Sequence, residues 1–272
     1  MRVGFIGLGS QGGGMADAIL ASGHELHVWA RRPEALAPFV DAGATAEPSF
    51  ASLAAACELM CICVTAEKDV ADILVDRGLL TSMRPGAILA LHSTISPDAC
   101  RAFGTKAARA GIEFLDAPVS GGGDAARQRK LLVMLGGASA VITRARPVLE
   151  CFGDRLVHVG GIGAGQTAKI VNNLLFLANF GAALQALDLG RALGMDAAAL
   201  RAALTGGSGS SRALEAVDHL TSPQMAAEIA PIVTKDLALA NDLARTRAFD
   251  IATLDHAGRV ALAGLSDILA QR

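Results

Sequence analysis

The stretch Val3-Gly4-Phe5-Ile6-Gly7-Leu8-Gly9-Ser10-Gln11-Gly12 decides the fold. Its first four residues read as a buried strand, and Gly7, Gly9 and Gly12 then fit the GxGxxG spacing. A helical pattern follows from Ser10 to Ala21 and stops at Gly23. In that order the motif has a mechanism. Glycines permit a tight turn and a close backbone approach, while the free N–H groups and positive dipole of the helix start suit a pyrophosphate. Gly7, Leu8, Gly9, Ser10, Gln11 and Gly12 are therefore candidate cofactor-binding residues.

Downstream, short apolar runs alternate with helix-length segments. The runs are Leu26 to Trp29, Leu59 to Val64, Ala87 to Leu91, Ile112 to Leu115, Leu131 to Leu135 and Leu156 to Val159. That rhythm predicts βαβ units and a parallel sheet. From about Gly163 the strand signals end, and apolar-periodic segments take over at Thr167 to Leu193, Asp196 to Leu204, Ser211 to Leu220 and Pro231 to Arg245. The expected fold is α/β: an N-terminal Rossmann dinucleotide-binding domain over residues 1–162, then an all-helical domain over residues 163–272.

Composition excludes several classes. With 52% hydrophobic and 18% charged residues the chain is not disordered. A net charge of −2 gives no electrostatic basis for binding nucleic acid or an anionic membrane. The uncharged stretch Ile170 to Leu187 holds Asn172, Asn173, Asn179 and Gln185, which are costly in hydrocarbon, so it reads as a buried helix and not a membrane span. The start lacks the pattern of a signal peptide, and the cytoplasm is the expected compartment. Five cysteines without CxxC pairs and six histidines without ligand spacing predict no metal site.

The second strand should end near Trp29-Ala30, where an acidic residue usually binds the ribose 2′-hydroxyl of NAD. Here Arg31-Arg32 follow instead. Two guanidiniums at that place suit the 2′-phosphate of NADP, so NADP is expected ahead of NAD. The alternative is a solvated turn before the helix that Pro33 starts. Val64-Thr65 and Ser93-Thr94 end other strands at the same carboxyl edge, where a doubly wound sheet places ligand contacts. Val64, Thr65 and Thr94 join the candidate cofactor-binding residues.

Three further stretches carry a family likeness: Asp116-Ala117-Pro118-Val119-Ser120-Gly121-Gly122, Gly163-Ala164-Gly165-Gln166-Thr167-Ala168-Lys169-Ile170-Val171-Asn172-Asn173, and Lys235-Asp236-Leu237. With the glycine-rich start, the chain resembles the β-hydroxyacid dehydrogenases, the group that includes 3-hydroxyisobutyrate dehydrogenase and tartronate semialdehyde reductase. The resemblance implies hydride transfer between a nicotinamide and a small 3-hydroxy acid or its semialdehyde. It implies Lys169 and Asn173 as catalytic residues, with Lys169 the general acid/base. It further implies Ser120, Gly121 and Gly122 as a loop for the substrate carboxylate, and Lys235 as a contact to cofactor and substrate.

The residue types suit these roles: a hydroxyl and exposed N–H groups bind a carboxylate, and a spacing of four puts Lys169 and Asn173 on one helix face. Departures are Gln11 where the family usually has Met, Ala18 for Asn, and Arg129-Lys130 for Gly-Thr. That basic pair either serves a second acidic group on the substrate or is solvated. Imine reduction on the same scaffold and a non-catalytic dinucleotide sensor are the alternatives, and retention of Lys169 and Asn173 argues against both. The apolar helical half predicts a homodimer or homotetramer.

Overall fold

The structure, a computed structural model, describes residues 1–270. The chain divides into two compact units, Met1–Lys169 and Ile170–Arg272, and the division falls inside a helix, Ala164–Ala192, called here the lysine helix.

In the first unit the strands are β1 (Arg2–Ile6), β2 (Glu25–Trp29), β3 (Thr45–Ala46), β4 (Leu59–Ile62), β5 (Ile88–Leu91), β6 (Glu113–Asp116), β7 (Val119–Ser120), β8 (Leu131–Gly136) and β9 (Gly153–Gly160). Among the described residues they form one sheet in the order 3-2-1-4-5-6-8-7, with β9 on β8. Strands β1 to β6 run parallel. Parallel strands are covered on both faces, which is why they read as near-continuous apolar runs. Val3, Phe5 and Cys61 join one apolar core and Ile6, Met60 and Ile62 the other, so alternate residues of one strand serve opposite sides of the sheet.

The wholly parallel expectation needs one correction, because β8 runs antiparallel to both β6 and β7. The six-residue helix Gly122–Arg127 precedes β8. At 1.5 Å per residue it covers about 9 Å, too little to carry the chain back along a strand before β8 begins. Strands β3 and β7 are two residues each, too short to leave a periodic signal.

The second unit contains no strand among its described residues. After the lysine helix come Ala197–Gly206, Arg212–Glu215, Val217–Leu220, Pro223–Thr246 and Ala252–Ala270. Pro223–Thr246 begins eight residues before the expected Pro231, because Pro223 at the first helical position is itself a start signal. The final helix lies beyond the expected segments; its Ala261 and Leu265 are buried with Leu177, Phe180 and Leu237. Gly181 lets it approach, since a Cβ there would stand 1.9 Å from the Ala257 oxygen. The lysine helix is long and apolar enough to cross a membrane. Its Ile170, Leu174, Leu177 and Phe180 are instead spent on the second unit's core.

Candidate active site

The glycine turn lies at the switch point where the strand order reverses, between β1 and β4. Its three glycines have separable reasons. Gly7 has φ +97°, and a Cβ on it would stand 2.1 Å from the Cys63 oxygen; one on Gly12 would stand 1.9 Å from the Gly7 oxygen. Both are fixed by packing of the protein against itself. Gly9, the N-cap of the helix Ser10–Ala21, has nothing within 4 Å of such an atom. Gly9 instead faces open space and lines a cavity.

A cavity of about 350 Å³ opens there, and Gly7, Leu8, Gly9, Arg31, Arg32, Val64 and Thr65 all line it. The fold thus gathers seven sequence-predicted residues from three strand ends; Ser10, Gln11 and Gly12 continue from the turn into the helix. Arg31 and Arg32 are exposed, and neither forms an ion pair with another described residue. Open ground over Gly9, a helix start and two available guanidiniums fit the phosphates of a dinucleotide.

Other lining residues were given no site role by sequence reasoning, among them Trp29, Phe50 and Arg77. The Trp29 and Phe50 ring centroids lie 4.0 Å apart with the planes tilted by 34°, and the Arg77 guanidinium lies 5.3 Å from the Phe50 ring while pairing with Asp72 at 2.6 Å. They come from separate segments, and no local pattern links them.

Along the same sheet edge, Thr94 lies half-buried between β5 and the helix Pro97–Arg109. Beside it, the Ser93 hydroxyl accepts from the Val64 N–H at 2.8 Å. Asp116, at the end of β6, is fully buried and accepts from the N–H groups of Gly163 at 2.7 Å and Gln166 at 2.8 Å. Burial pushes its carboxyl above the ordinary value, against the pull of those donors. Lys169 follows three residues after Gln166, half-buried on the lysine helix.

Ser120 is half-buried in β7, and Gly121 and Gly122 have φ +138° and +84°, which side chains resist. The next residue sets the loop against the glycine-turn helix: a Cβ on Gly123 would lie 2.2 Å from the Ser10 oxygen, and one on Gly14 2.3 Å from the Gly123 oxygen. The loop that follows Ser120 and the glycine-turn helix are therefore neighbours. Arg129 is drawn elsewhere. Its guanidinium donates to Ser22, which caps the far end of that helix, so the arginine has a structural role. Lys130 is exposed.

In the second unit, Asn173 donates to the Asp236 carboxylate at 2.7 Å, and the Lys235 ammonium stands 3.3 Å from the other Asp236 oxygen. Asp236 stands with Lys235 in the Lys235-Asp236-Leu237 stretch but was given no role of its own. The pair lies in the interior of the helix Pro223–Thr246, with Asp236 only 6% exposed. Its adjacency to Lys235 was the available signal. Among the described residues no His, Cys, Asp and Glu cluster has metal-binding geometry.

Known proteins match both units. The NAD binding domain of 6-phosphogluconate dehydrogenase matches residues 2–160, and the NAD-binding domain of NADP-dependent 3-hydroxyisobutyrate dehydrogenase matches residues 163–271. The 3-hydroxyisobutyrate dehydrogenase of Pseudomonas aeruginosa is 38% identical over 213 residues, 78% of this chain and 72% of that protein. The NAD-dependent L-serine dehydrogenase of the same organism is 33% identical over 257 residues, 91% of this chain and 86% of that protein. Among solved structures, the Mycobacterium tuberculosis 3-hydroxyisobutyrate dehydrogenase with L-serine has TM-score 0.85 at 27% identity, covering 98% of this chain and 94% of that one. An imine reductase from Pseudomonas sp., at 18% identity and TM-score 0.69, shares the fold.

Proposed function

The chain belongs to the β-hydroxyacid dehydrogenase family, and from that premise we propose that it moves a hydride between NADP(H) and a small 3-hydroxy acid or its semialdehyde, with Lys169 as general acid/base. It is a nicotinamide-dependent oxidoreductase. One observation carries the finer reading. Lys169 belongs to the same compact unit as the glycine turn, on a helix whose start is hydrogen-bonded to the ends of β5 and β6, the carboxyl edge where such sheets bind ligands.

The bound nicotinamide supplies or accepts the hydride; the chain supplies the rest. In reduction the Lys169 ammonium gives a proton to the carbonyl oxygen, and in oxidation the neutral amine takes the hydroxyl proton. Asn173 orients the reacting oxygen, and Asp236 holds the Asn173 amide. Ser120 and the backbone at Gly121 and Gly122 receive the substrate carboxylate, because glycines leave their N–H groups approachable. Lys235 contacts cofactor and substrate.

For the cofactor, Leu8, Ser10, Gln11 and Gly12 complete the phosphate turn around Gly7 and Gly9, Val64, Thr65 and Thr94 contact it from the strand ends, and Arg31 with Arg32 takes the 2′-phosphate. Relatives carry both preferences in their names, so the choice of NADP rests on the arginines. A cytoplasmic homodimer or homotetramer completes the reading, on the exposed Val171, Leu175 and Leu189 of the lysine helix and Leu193 just after it.

The test is NADPH and NADH oxidation, followed by absorbance, against a panel of small semialdehydes, glyoxylate and cyclic imines. Turnover of a carboxylate-bearing aldehyde with NADPH is expected. Turnover of imines alone assigns the chain to imine reduction, and tight cofactor binding with no turnover of any substrate assigns it to sensing.

A further inference from the structure

Gln166 is fully buried, and each of its polar groups has a partner. Its backbone N–H donates to Asp116 at 2.8 Å. Its side-chain oxygen accepts from the Ile95 N–H at 3.0 Å, and its side-chain nitrogen donates to the Ser93 oxygen at 2.9 Å. One residue of the lysine helix thus holds both sides of the turn that carries Thr94. Ser93 in turn receives the Val64 N–H, and Asp116 receives the Gly163 N–H. The ends of β4, β5 and β6 and the first turn of the lysine helix form one continuous buried hydrogen-bond path. Room for Asp116 is kept by Gly136 and Gly165, whose added Cβ atoms would stand 2.4 and 2.8 Å from its carboxylate oxygens.

We infer that Gln166, seated on Asp116, is a positioning residue for catalysis: it sets the rotation of the lysine helix against the Ser93–Ile95 turn and so aims Lys169 at a substrate held there. The inference rests on the proposed role of Lys169. Rotation is the coordinate that matters. At roughly 6 Å from a helix axis, a roll of about 10° carries a side-chain atom ~1 Å. A misplacement of that size is enough to cost about 100-fold in rate. A backbone carboxylate cap alone fixes the height of the helix start. The two-point grip of the Gln166 side chain, three residues before Lys169, fixes its roll.

The amide pattern also provides the test. Ser93 needs a donor and Ile95 an acceptor, from one planar group. A neutral Glu at position 166 repeats both, its carbonyl accepting from Ile95 and its hydroxyl donating to Ser93, whereas an ionised Glu sets a second acceptor against the Ser93 oxygen. Asp116 with its hydrogen-bonded Cys100 packs at this position, the buried His92 precedes Ser93 and stays neutral above its lowered pKa of about 4, and Glu67 accepts from the Ser96 N–H at the end of the turn. Lys169 is the cation one turn on. Burial and the Asp116 carboxylate both favour the neutral acid at low pH.

The experiment measures kcat, KM and NADPH affinity, the last by fluorescence, for the native chain, Gln166→Glu, Gln166→Met and Lys169→Ala between pH 6 and pH 8.5. For Gln166→Glu we expect kcat within about 3-fold of the native chain at pH 6 and a further loss of roughly 10-fold or more as pH rises, with NADPH affinity changed by less than ~3-fold throughout. Gln166→Met, which keeps the length and loses both bonds, should lose about 10- to 100-fold in kcat at every pH. A Gln166→Glu to native ratio that does not vary with pH overturns the inference. So does failure of Gln166→Glu to fold at pH 6, where both bonds are repeated. If Gln166→Met does not fold, the pH dependence of Gln166→Glu decides alone. Lys169→Ala separates the two ideas. Native-like turnover there removes the lysine's role and the positioning role with it, whereas a large loss there beside a pH-independent Gln166→Glu removes only the positioning role.

Discussion

Lys169 and Arg31 are the two residues on which the proposed chemistry turns. Replacing Lys169 by Ala should lower kcat by at least ~100-fold while NADPH affinity stays within a few-fold, because general acid–base groups contribute on that scale and this one serves the substrate. Lys169→Arg should not restore turnover, since a guanidinium keeps its proton near neutral pH. Steady-state kinetics with a fluorescence titration checks both, and turnover retained in Lys169→Ala refutes the assignment. Arg31 lines the cofactor cavity from an exposed position. Charge-assisted hydrogen bonds of about 1.5–3 kcal/mol would favour NADP over NAD by roughly 10- to 150-fold. Arg31→Asp should reverse that order, a carboxylate repelling the phosphate and accepting from a free ribose hydroxyl. The ratio of kcat/KM for the two cofactors decides it, and a native preference for NAD removes the phosphate role of both arginines. The proposed roles of Lys169, Asn173 and Arg31 come from motif and spacing. The contacts of Asp236 and Gln166 could not be read there, because their partners lie 63 and 71 residues away.

At the scale of the element, the glycine turn and its helix show how packing and ligand binding divide the work of one motif. Gly9 has ordinary extended backbone, with φ −71° and ψ −170°, and no protein atom near an added Cβ. Gly9→Ala should therefore leave the unfolding midpoint of the free protein nearly unchanged and weaken NADPH binding by about 10-fold or more, the methyl occupying space the pyrophosphate needs. Gly123→Ala makes the opposite case. Its Cβ would press on the Ser10 backbone oxygen, so the helix Ser10–Ala21 and the carboxylate loop must move apart, at a cost of about 1–3 kcal/mol in stability. Thermal melts with and without NADPH distinguish the two variants, and a large destabilisation from Gly9→Ala would contradict this division. Motif spacing marks Gly7, Gly9 and Gly12 alike and does not mark Gly123; only the close approaches at Gly7, Gly12 and Gly123 tell which glycines are spent on packing.

Across the whole molecule, acid stability depends on a buried histidine. His92, at the end of β5, is fully enclosed between Phe5 and Phe152, and its Nδ1 shares a 2.8 Å hydrogen bond with the Ala117 oxygen. Burial pushes its pKa from 6.5 down to about 4. Between those values the unfolded chain binds a proton that the folded one refuses, so this contribution is present above pH 6.5 and is lost as pH falls toward 4. From pH 7 to pH 5 the loss is about 2 kcal/mol. Denaturant unfolding of the native chain and His92→Phe at both pH values should show it only in the native chain; equal pH dependence in the two would refute it. The sequence by itself determined the architecture class, an α/β sheet unit followed by a helical unit, and it supplied the candidate site segments. Strand–turn–helix order, apolar periodicity and glycine spacing are local properties. Tertiary structure alone decided the reversal at β8, the Trp29, Phe50 and Arg77 lining of the cavity, the burial of Asp236 and the grip of Gln166 on the Ser93–Ile95 turn. Each depends on residues distant in the chain meeting at hydrogen-bonding or van der Waals distance, and no local periodicity records such a meeting.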